Sequence, residues 1–177
     1  KRSNLIKDKI MENLLKFLKS RRSVRTFQNK SIPKPELEKI VDAARFAPTA
    51  RNVQPWEFVV VLDKNKLVEL SSLGQNVKLM AGAAAGIVVF CAHTHYFLED
   101  GSAAICNILL AATALGIGSC WIAGDKKPYS QQVNILLGAP ANMKLIGLIA
   151  LGYPQEENVF KVSEKRELKE LLHWEKF

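Results

Sequence analysis

Three arginines and a serine lie within five positions near the start of the chain, in the sequence R-R-S-V-R from Arg21 to Arg25. Guanidinium groups are planar and permanently charged, and they bind phosphate oxygens through paired hydrogen bonds. The cluster therefore suits a phosphate-bearing ligand. The alternative, a solvated charge cluster at a helix end, is left open by the run alone.

A second candidate segment, Pro48 to Pro55, places two amide side chains just ahead of an apolar run. Asn52 and Gln54 each offer a donor and an acceptor, which complement the polar edge of a planar heterocycle. Together with the arginines they favour a nucleotide-like cofactor. The alternative is a proline-bounded loop that satisfies only its own backbone.

Four ordered motifs in this chain resemble those of the FMN-dependent nitroreductase family, in its short branch, and the resemblance covers nearly the whole chain. Two departures are conservative, with Thr49 for the usual serine and Ile117 for leucine. The motifs are R-R-S-x-R-x-F at Arg21 to Phe27, A-P-T-A-R-N-V-Q-P-W at Ala47 to Trp56, L-A-A-T-A-L-G-I-G-S-C-W-I-A-G at Leu110 to Gly124, and L-G-Y-P at Leu151 to Pro154.

The resemblance implies an α+β fold with a mixed, mostly antiparallel sheet flanked by helices, in an intertwined homodimer. It also implies a function. The protein would be an FMN-dependent oxidoreductase that transfers a hydride from NADH or NADPH, through flavin N5, to a nitro compound, a quinone or a similar small-molecule acceptor. Two alternatives remain: an FMN-dependent dehydrogenase or dehalogenase of the same fold, and a flavin-binding redox sensor without significant turnover.

A separate dinucleotide-binding domain is not expected. The G-x-G of Gly116 and Gly118 lacks the third glycine and the downstream acid of the dinucleotide fingerprint. NADH or NADPH would therefore bind transiently over the flavin.

The resemblance also implies roles for individual residues. Arg21, Arg22 and Ser23 would hold the phosphate and ribityl end, and Arg25 would lie toward flavin N1 and O2. The basic pair Lys165 and Arg166 would return to the phosphate, with a solvated surface pair as the alternative. The loop that the other subunit supplies would contribute Pro48, Thr49, Ala50, Asn52 and Gln54.

Ile122, Ala123 and Gly124 match the segment whose backbone runs beside the flavin. The backbone N–H of Ala123 would be the donor to N5, which makes it a catalytic group together with Arg25. Many relatives carry glutamate at this position, so alanine would alter substrate scope and not flavin binding. Gly124 would allow the backbone to approach the ring closely.

Cys91, His93 and His95 form C-x-H-x-H, with Asp100 nearby. Thiolate and imidazole are zinc ligands, and regular strand alternation would put all three on one face. The pattern lacks a second ligand cluster, however, and a buried free cysteine is common at the end of an apolar run. We therefore predict no metal. The histidines could instead lie near a substrate channel.

Composition is that of an ordinary globular protein. The net charge is +8, yet 18 of the 25 cationic residues are scattered lysines, so neither a nucleic-acid nor a membrane partner is expected. The chain is long enough for one domain, predicted to comprise residues 1–177. Cys91, Cys106 and Cys120 are predicted to be reduced core residues, and the N-terminus has no signal-like apolar core, so a cytoplasmic protein is expected.

Hydrophobic periodicity predicts the elements that must position these residues. The Ser102 to Leu115 helix is apolar all round and is predicted to be the buried central helix, at a subunit interface. Helices are predicted at Ile6 to Leu18, Lys34 to Phe46, Ser102 to Leu115, Gln131 to Leu137 and in the leucine-rich stretch after Arg166. Buried strands are predicted at Glu57 to Leu62 and Ala85 to Ala92, and a last core strand at Leu145 to Leu151. The stretch from Gly116 to Ile122 is predicted to be a turn followed by a strand.

Overall fold

The computed structural model describes residues 2–177, with side chains described from residue 9 onward. The chain folds as two compact units, one formed by Lys1–Arg21 with Phe160–Phe177 and the other by Arg22–Val159. The prediction that residues 1–177 act as one FMN-binding domain stays a prediction.

A four-stranded sheet organises the Arg22–Val159 unit. Its strands are β1 (Trp56–Val61), β2 (Ala85–Ala92), β3 (Gly118–Ala123) and β4 (Met143–Gly152). Their order in the sheet is β1-β2-β4-β3, and all three strand pairings are antiparallel. The parallel component is an isolated bridge between Ser23 and Ser119. The predicted α+β class with a mostly antiparallel sheet is confirmed.

Helices cover both faces of this sheet, because side chains alternate between the faces along each strand. The helices are α2 (Lys34–Ala44), α3 (Lys64–Ser72), α4 (Phe97–Ala114) and α5 (Ser130–Leu137), with 3-10 turns at Ala50–Asn52 and Gln75–Gly82. On one face, Ile87 and Val89 of β2 belong to a core cluster with α2 and α4. On the other, Val88 and Phe90 pack with residues of α3 and α5.

Helix α4 is the central helix that the sequence predicts, but it begins at Phe97, five residues before the predicted start at Ser102. Among the described residues it is the helix whose length and composition would fit a membrane span. Its place is in the core, where Ile105, Ile108 and Ala112 are fully buried against the sheet. Its apolar composition is that of a core helix.

Two sequence predictions need correction in this unit. β1 was predicted to be a buried strand, but it is an edge strand whose Glu57 and Val60 are exposed. Helix α3 was not predicted. Its signal was the N-cap at Asp63, whose carboxylate accepts a hydrogen bond from the Lys66 N–H at 3.0 Å, followed by the buried Leu67 and Leu70.

The terminal unit contains α1 (Arg2–Ser20), which confirms the predicted helix at Ile6 to Leu18; the Ile6 side chain lies outside the described side chains. The predicted helix after Arg166 is wrong, because this stretch forms a single 3-10 turn at Leu168–Glu170. Short amphipathic helices need a surface on which to pack, and residues 164–177 are exposed throughout. Apolar side chains of α1 are about half exposed, namely Ile10, Met11, Leu14, Leu15 and Leu18.

Candidate active site

The outer edge of β3 presents a free backbone donor at Ala123. Gly124 donates its N–H to the Ile146 carbonyl at 3.0 Å, and Ala123 stands opposite Gly147 in the register. Hydrogen-bonded pairs alternate with non-bonded pairs along an antiparallel ladder, so the Ala123 N–H and C=O point away from β4. The carbonyl accepts from the Tyr129 hydroxyl. The N–H has no acceptor among the described residues.

Ser23 and Arg25 lie along the same strand edge. The Val24 N–H donates to the Ser119 carbonyl at 2.9 Å, and Ser23 forms the parallel bridge with Ser119. Ser119 and Ala123 are four residues apart, which corresponds to roughly 13 Å of extended strand.

The arginines next to this edge carry unpaired charge. Arg25 is exposed, Arg22 is partly exposed, and neither is within ion-pair distance of a carboxylate among the described residues. One guanidinium N–H of Arg25 makes a long contact of 3.5 Å to the Ser23 carbonyl. Uncompensated positive charge is therefore available next to Ser23, at the Ser119 end of this strand edge.

The proline-bounded loop is held by a buried carboxylate. Asp100, in the first turn of α4, accepts hydrogen bonds from the Thr49 hydroxyl at 2.9 Å and from the Ala50 N–H at 3.0 Å. The Thr49 oxygen in turn accepts from the Gln54 N–H at 3.2 Å. Trp56, which follows Pro55, is 7% exposed and belongs to the core.

The backbone of this loop is strained. Arg51, Asn52 and Gln54 have φ of 54°, 57° and 52°, in the left-handed region, which costs about 1 kcal/mol or more for each residue that is not glycine. In this backbone conformation the two amide side chains lie together, since the Gln54 Nε2 donates a hydrogen bond to the Asn52 Oδ1 at 3.1 Å. Both side chains are exposed, so they can meet a ligand.

Arg21, Lys165 and Arg166 come together in the terminal unit, where they line a cavity of about 520 Å³ with Lys19 and Leu171. None of the described side chains that line it is acidic. Arg166 is partly engaged, since its Nε lies 3.3 Å from the Glu170 carboxylate and its Nη2 donates to the Glu170 carbonyl. This cavity suits an anion, although Arg166 is not wholly free.

Glycines let the chain pack closely around β3. A Cβ on Gly124 would lie 2.5 Å from the Leu145 side chain, and one on Gly147 would lie 2.5 Å from the Trp121 Nε1. Trp121 is 38% exposed, so its indole lies over β4 with one side open. Ile122 points into the core and is 4% exposed. It could reach a ligand only through its backbone.

Cys91, His93 and His95 do not form a cluster. β2 ends at Ala92, so the alternation that would align them stops before the histidines, and these are exposed beside Phe97 and Tyr96. No group of three metal-binding side chains occurs among the residues that the structure describes. Burial, together with the nearby Asp100 carboxylate, raises the pKa of Cys91 to about 12, so it remains a thiol. Cys91 and Cys120 are buried as predicted, whereas Cys106 is exposed.

Several cavities lie elsewhere in the larger unit, and two of them bear on the choice of site. One of about 540 Å³ lies between α2 and the edge strand β1, and no predicted site residue lines it. The other, of about 400 Å³, adjoins the loop and is lined by Ala50, Arg51, His95 and Asp100 among others. The candidate site is identified by its chemical groups and not by cavity size, because the Ala123 N–H and the amides of Asn52 and Gln54 lie outside the cavity of about 540 Å³.

Asp100 is the functional residue that the sequence assignment missed. The sequence placed it only beside a possible metal ligand set, and the contact to Thr49 joins residues 51 positions apart. A usable signal existed. The largely apolar stretch from Phe97 to Ala114 contains two carboxylates, the exposed Glu99 and the buried Asp100. A carboxylate that is buried in such a helix requires hydrogen-bond donors.

Comparisons with known proteins agree with this geometry. The sequence model of the nitroreductase family matches residues 18–86 and 76–153. A provisionally named NADH dehydrogenase/NAD(P)H nitroreductase of Archaeoglobus fulgidus is 37% identical over 175 residues, which cover 94% of this chain and all of the relative. An FMN-dependent nitroreductase structure from Clostridium difficile R20291 superposes with a TM-score of 0.86 at 31% identity, over 92% of this chain and 99% of that one.

The chain belongs to the nitroreductase family. The predicted family and fold are confirmed, and the names of the relatives support the predicted enzyme class and the FMN and NAD(P)H cofactors. A more distant relative, iodotyrosine deiodinase 1 of Pongo abelii, is 25% identical over 191 residues, covering 88% of this chain and 66% of the relative.

Proposed function

We propose that this protein is an FMN-dependent oxidoreductase that uses NADH or NADPH to reduce nitro compounds, quinones or similar small molecules. The observation that carries the proposal is the unpaired Ala123 N–H at the outer edge of β3, on the same edge as Ser23 and Arg25. When bound there, FMN would accept a hydride from the reduced nicotinamide and deliver it to the acceptor.

The residues on this edge fit such a group. The Ala123 N–H would donate to flavin N5 from a fixed position on the sheet, and Arg25 would place positive charge near N1 and O2. Both groups are in place before charge develops, which is how preorganised donors lower a barrier. Arg22 and Ser23 would hold the ribityl and phosphate end, and Gly124 keeps the backbone next to the donor free of a side chain.

Two further sets of residues are assigned to FMN by the family pattern. Pro48, Thr49, Ala50, Asn52 and Gln54 form the loop whose exposed amide pair suits the polar edge of a flavin. Arg21, Lys165 and Arg166 would bind phosphate, and their shared cavity with an entirely basic charged lining supports an anion there. Ile122 would contribute only its backbone.

A dehalogenase or dehydrogenase of the same fold is the second candidate. The deiodinase relative favours it, and Ala123 brings no side-chain polar group to the acceptor. A redox sensor without significant turnover is the third candidate. The same cofactor serves all three, so they differ only in what the reduced protein reacts with.

The experiment is anaerobic reduction of the FMN-loaded protein. Purified protein should be yellow, should bind one FMN per chain, and should bleach when NADH or NADPH is added. Reoxidation is then followed with a nitroaromatic compound, a quinone and an iodotyrosine in parallel. Rapid reoxidation by the first two supports the proposal, selective loss of iodide supports the dehalogenase, and a protein that holds FMN but is reduced only slowly supports the sensor.

We also propose that the protein is a homodimer in which the loop of one chain meets the flavin of the other. The exposed apolar face of α1 and the apolar groove beside β1 support this, because a monomer rarely leaves such surfaces uncovered. Light scattering at micromolar concentration should give twice the chain mass of 19.7 kDa. A monomer that retains flavin would exclude the shared site. A cytoplasmic location remains a prediction.

A further inference from the structure

A buried carboxylate without a counter-charge lies beneath the proline-bounded loop. Asp100 is 5% exposed, and no cationic group lies within ion-pair distance of it among the described residues. A buried charge is costly unless hydrogen bonds compensate it. Both oxygens are compensated by the loop itself, Oδ2 by the Thr49 hydroxyl and Oδ1 by the Ala50 N–H.

The contacts continue from the carboxylate to the amide pair. The Thr49 hydroxyl, which donates its proton to the Asp100 carboxylate, accepts a hydrogen bond from the N–H of Gln54. The Gln54 side chain then donates to the Asn52 side-chain oxygen. These bonds span the stretch with left-handed backbone at Arg51, Asn52 and Gln54. The conformation of the amide pair thus depends on a chain of hydrogen bonds that begins at one carboxylate.

We propose that Asp100 is a positioning residue for the loop and holds the Asn52–Gln54 amide pair in the conformation that binds FMN. It does not touch the cofactor. It acts through Thr49, whose hydroxyl both donates to the carboxylate and accepts from the Gln54 backbone. The effect of Asp100 on the conformation of the loop does not depend on FMN; only the identity of the ligand rests on the proposed function.

Substitution by asparagine separates this role from simple core packing. Asp100→Asn keeps the size of the side chain but replaces one acceptor with an NH2 donor that faces either the Thr49 hydroxyl or the Ala50 N–H. One of the two bonds to the loop is then lost or reversed. Hydrogen bonds to charged groups are stronger than those to neutral ones, so the remaining bond also weakens.

The first measurement uses the flavin-free protein and follows amide hydrogen exchange. In Asp100→Asn, the Ala50 and Gln54 amides should exchange about ten to a hundred times faster than in the wild type, a range typical of losing a charge-assisted bond. Amides of β2 and β4 should keep their protection. The matched control is Asp42→Asn, which changes an exposed carboxylate paired with Arg45 and should leave the loop unaffected.

Variants at Thr49 test the second link. Thr49→Val keeps the shape of the side chain and removes the hydroxyl, so it should accelerate exchange at Gln54 without affecting Ala50 to the same degree. Thr49→Ser retains the hydroxyl and should restore the slow exchange. This pair decides the question even if Asp100→Asn folds poorly.

The second measurement is FMN affinity by fluorescence titration. Asp100→Asn should weaken FMN binding about tenfold, while its rate of reduction by NADH at saturating FMN stays within about twofold of the wild type. Thr49→Val should weaken FMN binding to a similar degree. If the wild-type protein does not bind FMN, the proposed function fails, and the exchange data still test the loop. If FMN binds equally to wild type and variants, or if exchange accelerates uniformly across the sheet, the positioning role is overturned.

Discussion

The edge of β3 and the proline-bounded loop both offer N–H groups to a flat ligand, yet they hold them in different ways. The Ala123 N–H is fixed by the register of β3 on β4, which many residue pairs share. The amides of Asn52 and Gln54 are fixed by hydrogen bonds that converge on Asp100. A backbone donor on a sheet therefore tolerates changes of side chain, whereas the loop depends on a few individual groups.

The largest expected effect comes from removing the backbone donor itself. Ala123→Pro lacks the N–H, and because this N–H faces the free edge, no ladder bond to β4 is lost. Reduction of bound flavin by NADH should slow about a hundredfold, the usual cost of deleting one preorganised donor. Stopped-flow absorbance measures this rate.

Ala123→Ser is the matched control, since it retains the N–H and alters only the side chain. Flavin should therefore be reduced by NADH nearly as fast in the serine variant as in the wild type, about a hundredfold faster than in the proline variant. Equal rates in these two variants, both with wild-type melting temperatures, would show that the sheet edge does not supply the donor to N5.

Arg25→Ala should have the next largest effect. Loss of the guanidinium removes positive charge that becomes more valuable as the reduced anionic flavin forms, so flavin reduction should slow about tenfold and the midpoint potential should fall. The apparent affinity for NADH should change less. Arg45→Ala, in which the exposed arginine of α2 is removed, is the control for charge alone. Unchanged rate and potential in Arg25→Ala would point to Lys165 as the source of charge.

The packing between β3 and β4 is tested by Gly147→Ala. The new Cβ would lie 2.5 Å from the Trp121 Nε1 and 3.0 Å from the Ile122 carbonyl. The free energy of unfolding should fall by about 1–2 kcal/mol, as for other overpacked sites. Gly82→Ala is the control, because nothing lies within 4 Å of its Cβ position. Equal stability of the two variants in urea titrations would mean that Trp121 moves aside at little cost.

The smallest expected effect concerns Cys91, which lies against the helix turn that carries Asp100. Its pKa is raised to about 12 in the folded protein, chiefly by burial. An unfolded cysteine loses its proton near pH 8.5, so the thiol favours the folded state at lower pH and this contribution declines as the pH rises toward 12. Between pH 7 and pH 8.5 the wild type should lose about 0.5 kcal/mol relative to Cys91→Ala.

Urea titrations at the two pH values measure this difference. Cys106→Ala, which changes the exposed cysteine, is the reference and should follow the wild type. If the free energy of unfolding changes equally with pH in the wild type and in Cys91→Ala, the pKa of Cys91 lies near its ordinary value.

The sequence predicted what depends on local pattern. The strands β2 and β4, the core helix α4 and the turn before β3 all follow from apolar runs bounded by glycine or polar residues. Motif order identified the family, and with it the loop and the edge residues. The exposure of β1 was not predictable from its β-branched sequence, since an edge position depends on which strands become its neighbours.

What the sequence did not provide depends on contacts between distant residues. The role of Asp100 exists only because α4 passes beneath the loop, and the free N–H of Ala123 follows from the register of β3 on β4. The leucine-rich stretch after Arg166 has a helical pattern, but residues 164–177 have no buried side chain, so the pattern alone did not make a helix. A second chain would supply a surface against which this stretch could pack as a helix, so the test of the dimer also bears on its conformation.

The position of Trp121 on β3 also makes ligand binding at this edge observable by tryptophan fluorescence. Its indole is two residues from Ala123 and projects from the same face of β3, whereas Trp56 is 7% exposed in the core and Trp174 is 81% exposed near the C-terminus. Indole emission overlaps the absorption of oxidised flavins, so a flavin bound at this edge would quench Trp121 by energy transfer. Replacing Trp174 with phenylalanine would remove the most solvent-exposed emitter, and the remaining fluorescence would then follow occupancy of the edge without any added label.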